Sequence, residues 1–232
     1  MQQLNFQGRT KEELAIEFIR LHEPPEGYFL GFSGGKDSTV LYDLTKRSGV
    51  KFQAYYSATG IDAPEVVKFI REKYPDVIHL HPKKSFYYYI GNTGYGFPTR
   101  INRWCCNTQK KNSALTIPLE RRLLGIRAEE SSRRASRPNP DYNPKIKQWS
   151  YKPIFTWLEW EVWDYIEGNN LPYCSLYDEG FSRLGCVICP FHSYIEHQRY
   201  RARWPKFFVA FEKAMKKCWD RHQLPDAKPL RE

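Results

Sequence analysis

Apolar and polar positions follow one another in blocks along this chain, and the blocks predict strands and helices in turn. Residues 10–23, TKEELAIEFIRLHE, carry apolar side chains at helical spacing, and Thr10 stands three residues before Glu13, as in a capping box. GYFLGFS (27–33) is an apolar run of buried-strand length, and a glycine turn and a helical pattern to about Ser48 come after it. VKFQAYYSA (50–58) predicts a second strand, VIHLHP (77–82) a third and RLLGIRA (122–128) a fourth. Between them APEVVKFIREKY (63–74) reads as a helix with proline near its start. Strands that alternate with helices imply βαβ units, a parallel sheet and the α/β class.

The remaining segments are less regular. Residues 84–112 read as a short helix, a loop and a helix starting near Cys105. Residues 129–149 are polar, basic and proline-rich, which predicts a mobile loop. LEWEVWDYIEGNN reads as an amphipathic helix, residues 171–192 as a loop with a C-x-x-C, and residues 204–222 as a final helix. No repeat and no second domain is visible. The expected organisation is an N-terminal helix (1–26), a binding domain (27–192) and a helical C-terminal extension (193–232).

Composition adds three constraints. With 232 residues, 41% hydrophobic and 27% charged, the chain has material for a globular core. No apolar run reaches membrane-spanning length and no signal pattern opens the sequence, so a cytoplasmic protein with no membrane partner is expected. The net charge of +10 favours acidic partners such as nucleotides or nucleic acid, although a basic surface with no specific partner fits the charge equally well.

The candidate chemistry begins at Ser33-Gly34-Gly35-Lys36-Asp37-Ser38, where a strand hands over to a helix. The spacing is neither G-x-x-x-x-G-K-S/T nor G-x-G-x-x-G. Its physics still suits a phosphate. Two glycines permit a tight turn, the helix start offers unpaired N–H groups, Lys36 adds a charge, and Ser33 and Ser38 add hydroxyls. Asp37 is placed to cap the helix or to hold a metal bound to pyrophosphate.

This hexapeptide resembles the PP-loop of the adenine nucleotide α-hydrolase-like superfamily, which includes ATP pyrophosphatases, tRNA thiolases and sulfonucleotide reductases. SATGIDAPEVVKFI (57–70) resembles the second-strand motif of the phosphoadenosine phosphosulfate (PAPS) reductase branch, with Thr59, Gly60, Asp62, Pro64 and Glu65 in register. GIRAEESSRR (125–134) resembles its G-x-R-x-x-E-S motif through Gly125, Arg127, Glu130 and Ser131. KPIFTWLEWEVWDYI and LPYCSLYDEGFSRLGCVICP resemble its C-terminal signatures. The resemblance spans about residues 27–192 and implies a Rossmann-like (PP-loop/HUP-type) parallel sheet sandwiched by helices. It also implies an adenine nucleotide, whether ATP, adenosine phosphosulfate (APS) or PAPS, held by residues 33–38, Thr59, Gly60, Asp62, Gly125, Arg127 and Glu130. Lys36, Arg127 and Asp37 are the expected catalytic groups. Asp62 is placed for ribose or metal. Arg133 and the other arginines of 133–137 read better as surface ion pairs.

Six cysteines complete the inventory. Cys105-Cys106 and Cys186-x-x-Cys189 supply four thiolates, and clustered pairs read as metal or cluster ligation before disulfides. The pattern resembles that of the 4Fe–4S-bearing members of the family, which favours a 4Fe–4S cluster over zinc. Arg103, Lys110 and Lys111 are candidates to bridge cluster and substrate. Cys174 reads as a buried small residue. Cys218 stands where reductases carry a nucleophile on a Glu-Cys-Gly-Leu-His-like tail, but here the tail reads EKAMKKCWDRHQLP and a plain helical cysteine fits better.

Three functions are compatible with these features. The first is ATP-dependent adenylation, or pyrophosphatase chemistry, linked to sulfur transfer, with Mg²⁺ beside ATP and a nucleic-acid or sulfur-carrier partner. The second is an APS or PAPS reductase using Cys218. The third is a non-enzymatic redox-sensing nucleotide- or nucleic-acid-binding protein.

Overall fold

The structure is a computed structural model that describes residues 8–223. Residues 1–7 and 224–232, the outer ends of the expected N- and C-terminal segments, lie outside the described residues. Helix α1 (Lys11–Leu21) begins at the expected capping box: the Thr10 hydroxyl accepts from Glu13 N–H at 3.1 Å, and Glu13 accepts from Thr10 N–H at 2.8 Å. Strand β1 (Tyr28–Gly31), α2 (Lys36–Ser48), β2 (Phe52–Ser57), α3 (Pro64–Lys73) and β3 (Ile78–Leu80) come next, in the predicted order. After them are α4 (Phe86–Asn92), α5 (Trp104–Cys106), a π-helical turn over Asn107–Lys111, and α6 (Asn112–Ala114). Strand β4 (Arg121–Leu124), α7 (Ser132–Ala135), β5 (Asp141–Asn143), β6 (Gln148–Tyr151), α8 (Glu159–Gly168), α9 (Tyr194–Arg203) and α10 (Pro205–His222) complete the chain.

The six strands form one sheet in the order β3-β2-β1-β4-β6-β5. β1 pairs in parallel with β2 and β4, β4 in parallel with β6, and β5 runs antiparallel to β6 at the edge. The chain leaves β1 toward β2 and returns on the other side as β4, so the order reverses between β1 and β4. In open α/β sheets the crevice beyond the strand ends at such a reversal is where ligands bind. The glycine turn lies after β1 at that end, and Gly125–Arg127 lies after β4. Among the described residues no helix is long and apolar enough to cross a membrane.

One local expectation is corrected. Residues 129–149 are not a mobile loop: they hold a 3₁₀ turn (Ala128–Glu130), α7 and the β5–β6 hairpin. Proline and charge hid the hairpin, but a Tyr142–Trp149 pair stands directly across it with ring centroids 4.9 Å apart. Asn139 closes its base, accepting from Lys152 N–H at 3.0 Å and donating to Lys152 C=O at 2.9 Å. The expected helical C-terminal extension contains α9, a ten-residue helix whose own bounds the sequence did not mark out. A Ser193–Glu196 capping box starts it, and its mostly polar faces leave little apolar periodicity to read.

The described chain divides into two compact units. The first takes the chain up to Tyr56, Lys68–Ile78 and Ile117–Arg183, and the second takes Ser57–Val67, His79–Thr116 and the chain from Leu184 on. Tyr28, Leu30, Leu41, Leu44, Leu123 and Ile166 are wholly buried in the first. In the second, α4 packs on α10, and Phe86 stacks with both Trp104 and Phe211 at centroid distances of 5.7 and 6.1 Å.

Gly125 presses on the start of α2. A β-carbon there would stand 2.9 Å from the Asp37 carbonyl oxygen and 3.1 Å from Ser38 N. Both are backbone atoms in a packed turn and cannot swing aside. Gly125→Ala is therefore expected to lower stability by roughly 1–3 kcal/mol through overpacking. Urea unfolding measures this, and an unchanged midpoint with an unchanged slope would contradict the packing.

Candidate nucleotide site and cysteine group

The turn after β1 is built for close approach. Gly34 takes φ +73°, the left-handed region that glycine enters without strain. The Ser38 hydroxyl accepts from Ser33 N–H at 3.2 Å, lies 3.1 Å from the Ser33 hydroxyl and donates to Gly35 C=O at 2.8 Å, which locks the hexapeptide on itself. Gly35 is the N-cap of α2 and brings no side-chain cap, so the first N–H groups of the helix are left for other acceptors. The one from Lys36 goes to the Tyr177 hydroxyl at 2.9 Å. A helix start of this kind favours an anion through both its N–H groups and its dipole.

Charge is concentrated around it. Lys36 is only 4% exposed, and its ammonium contacts the Ser182 carbonyl at 3.2 Å and Glu159 at 3.2 Å, with Asp37 at 4.0 Å. Arg127 is 3% exposed and pairs with Asp37 through Nε and with Glu129 through Nη1. Burial works against its charge, but Asp37 and Glu129 outweigh burial and hold the guanidinium above its ordinary pKa. Glu130 is a fastener: it accepts from Arg127 N–H at 3.0 Å and pairs with Arg134. Arg137 pairs with Asp141 at 3.6 Å, as expected of a surface arginine.

Beside Lys36 opens a pocket of about 350 Å³, with Glu159, Trp163, Tyr173, Tyr177, Asp178 and Ser182 among its walls. Burial pushes the Tyr177 phenol well above its usual range, so it stays protonated. Sequence reasoning assigned no role to Glu129, Glu159, Tyr177 or Ser182. Tyr177 and Ser182 lie inside a motif that was matched, and the match itself was the signal that could have found them.

The second unit holds the thiols. Cys105 feels the charges of Cys106, Cys186 and Cys189. The Cys105 thiol, hydrogen-bonded to Cys106, is pushed up, and Cys106 is held below the ordinary thiol range by that bond and by Arg103, whose Nη2 lies 3.6 Å from its sulfur. Lys110, in the π-helical turn, is raised by Cys186 and by Asp62. Asp62 belongs to this group as well. Its carboxylate accepts from Thr59 N–H at 2.9 Å and the Thr59 hydroxyl at 2.8 Å and stands 3.9 Å from the Cys186 sulfur, with which it also forms a backbone bridge. Gly60 turns the chain between them at φ +75°.

Among the described residues no three His, Cys, Asp or Glu side chains are grouped so as to hold a metal ion. Four thiolates are by their chemistry a ligand set for a 4Fe–4S cluster and for tetrahedral zinc alike. Two flanking cations, Lys110 and Arg103, would offset thiolate charge. Cys174 is buried, as expected. Cys218 is 3% exposed on α10, with its sulfur 3.7 Å from His222 Nδ1. Its neighbours Lys216 and Lys217 are engaged with Asp220 and Asn92.

Comparisons agree with this layout. The chain is 30% identical to an uncharacterized protein of Methanocaldococcus jannaschii over 92% of its own length and 47% of that protein's. It thus spans about half of that relative, and the same holds for a second from the same organism. It is 38% identical to an adenosine 5'-phosphosulfate reductase of Neisseria meningitidis, over 66% of this chain and 67% of the relative. Among solved structures, a phosphoadenylyl-sulfate (PAPS) reductase from Candida auris superposes with a TM-score of 0.60 at 17% identity, covering 82% of this chain and 98% of that one, a likeness of fold. The family described as phosphoadenosine phosphosulfate reductase domain matches residues 27–192, from the first strand to just past the last paired cysteine. The glycine turn, Arg127 and the thiol pairs all fall within that match, and the chain belongs to this family.

Proposed function

We propose that the chain is an enzyme that binds ATP at residues 33–38 and uses it to adenylate an acceptor, in a reaction linked to sulfur transfer. The observation that carries this reading is the uncapped, glycine-built start of α2 at the sheet's reversal, with Lys36 and Arg127 both turned to Asp37. The β- and γ-phosphates lie against the turn, where Lys36, the helix N–H groups and the Ser33 hydroxyl meet them. An acceptor oxygen attacks the α-phosphorus, the bond to the β-phosphate oxygen breaks, and pyrophosphate leaves; Mg²⁺, when bound with ATP, would offset the charge of the phosphates. A sulfide donor then attacks the activated acceptor carbon, and AMP departs with the former acceptor oxygen. The chain's work is positioning and charge neutralisation, with Arg127 held in place by Asp37 and Glu129.

Cys105, Cys106, Cys186 and Cys189 are proposed to hold a 4Fe–4S cluster. When bound, it would supply a charged, redox-capable centre beside Lys110 and Asp62. Thr59, Gly60 and Asp62 then shape the cysteine group.

A second reading, reduction of APS or PAPS, is favoured by the identity to the Neisseria meningitidis reductase. It requires a thiolate nucleophile, and Cys218 is buried on a helix with its neighbours engaged. That burial is the reason for ranking adenylation first.

Two measurements test these proposals. ATP with Mg²⁺ is expected to raise Tm, Lys36→Ala and Arg127→Ala to lose at least about ten-fold in affinity, and pyrophosphate to form only with ATP. Stabilisation by APS alone, with turnover that Cys218→Ser abolishes, would replace this reading with the reductase. Anaerobically purified protein is expected to carry about four iron and four sulfide per chain, lost in Cys186→Ala. Stoichiometric zinc without sulfide would overturn the cluster.

A further inference from the structure

We propose that the pocket beside Lys36 is the seat of a protonated primary amine carried by the acceptor substrate. The reason is the place where the Lys36 ammonium itself sits. Nζ donates to the Ser182 carbonyl at 3.2 Å, pairs with Glu159 Oε1 at 3.2 Å and lies 5.6 Å from the centroid of the Tyr177 ring. A carbonyl, a carboxylate and a ring face are the three kinds of group that hold an alkylammonium. All three belong to the pocket wall. The protein already contains an ammonium in this seat, and it is a borrowed one.

The walls select for a compact cation. Trp163 meets Tyr177 at 5.0 Å and Tyr173 at 5.4 Å, each time with planes 88° apart. Rings at right angles make the corners of a box, whereas a flat base calls for offset parallel faces. Asp178, which accepts from the Tyr173 hydroxyl at 3.0 Å, adds a second carboxylate. None of the described residues lining the pocket is lysine or arginine, although the chain as a whole carries a net charge of +10.

The inference rests on the nucleotide reading in one respect: there, Lys36 serves the phosphates. One ammonium cannot occupy both places. When Lys36 turns to the nucleotide, Glu159, the Ser182 carbonyl and the Tyr177 face lose their cation, and the acceptor's amine replaces it. Nucleotide binding thus opens the acceptor seat, and the order of binding is nucleotide first.

Butylammonium and its neutral counterpart 1-butanol, monitored by ligand-observed NMR, test this. The full chain carrying Lys36→Ala is expected to bind butylammonium about ten-fold tighter than the unaltered chain, to ignore butanol, and to lose the binding when Trp163→Ala is added. The unaltered chain is expected to gain butylammonium binding once ATP and Mg²⁺ are present. Lys36→Ala binding butylammonium no better than the unaltered chain, or butanol equally well, would overturn the proposal. The Lys36→Ala arm needs no nucleotide, so failure of ATP to bind counts against the enzyme reading alone. If Lys36→Ala does not fold, Glu159→Gln decides: undiminished butylammonium binding with ATP present refutes the seat, and a several-fold loss supports it.

Discussion

A buried guanidinium has to be matched by charge, and the pairing of Arg127 with Asp37 is the match on which this molecule's site depends. Arg127 leaves the end of β4, and Asp37 stands in the first turn of α2, just beyond β1. The two strands are neighbours, and the ion pair joins the turns at their ends. Removing either partner would strand the other charge in a poorly solvated place, a far larger penalty than the loss of a surface pair. Gly125 serves the same closeness by having no side chain, since any β-carbon would strike the Asp37 carbonyl. The glycines of the turn, the glycine after β4 and the ion pair are parts of one arrangement at the start of α2, which carries no side-chain cap.

The same arrangement ties the glycine turn to the aromatic pocket beside it. Glu129 not only pairs with Arg127 but also accepts from the N–H of Glu159 at 2.7 Å, the first residue of α8. Tyr177 accepts from Lys36 N–H, and its ring lies beneath the same lysine's ammonium. Charge placed on the turn is therefore felt directly by residues of the aromatic pocket, without any large movement of the chain. The cysteine group is organised on a different principle. There a π-helical turn and a carboxylate locked by Thr59 set Lys110 and Asp62 among the thiols, and the protonation of Cys105, Cys106 and Cys186 depends on their neighbours.

Much of the fold was legible because its signals are local. A capping box at Thr10, an apolar run ending in Gly-Gly and a proline at the start of α3 each act within a few residues of where they are written. The β5–β6 hairpin was not legible. Its strands are three and four residues long, and what stabilises them is an aromatic pair across the strands and an asparagine clasp closing residues thirteen apart. Helix α9 fell within the expected helical extension, but its bounds were not legible, because its faces are polar and only its cap marks where it begins.

The sequence by itself determined the family, the phosphate-type turn, Arg127 and the two cysteine pairs, because each is a residue type at a set spacing along the chain. It could not show that Asp62 is committed to Thr59 and Cys186, that Glu130 is a fastener, or that Lys36 rests on Glu159, Ser182 and Tyr177. Those partners lie as far as 146 positions apart in the chain, and charge pairs and ring faces meet only when the sheet and its crossovers have brought their ends together. Tertiary structure decided which of the recognised groups hold one another.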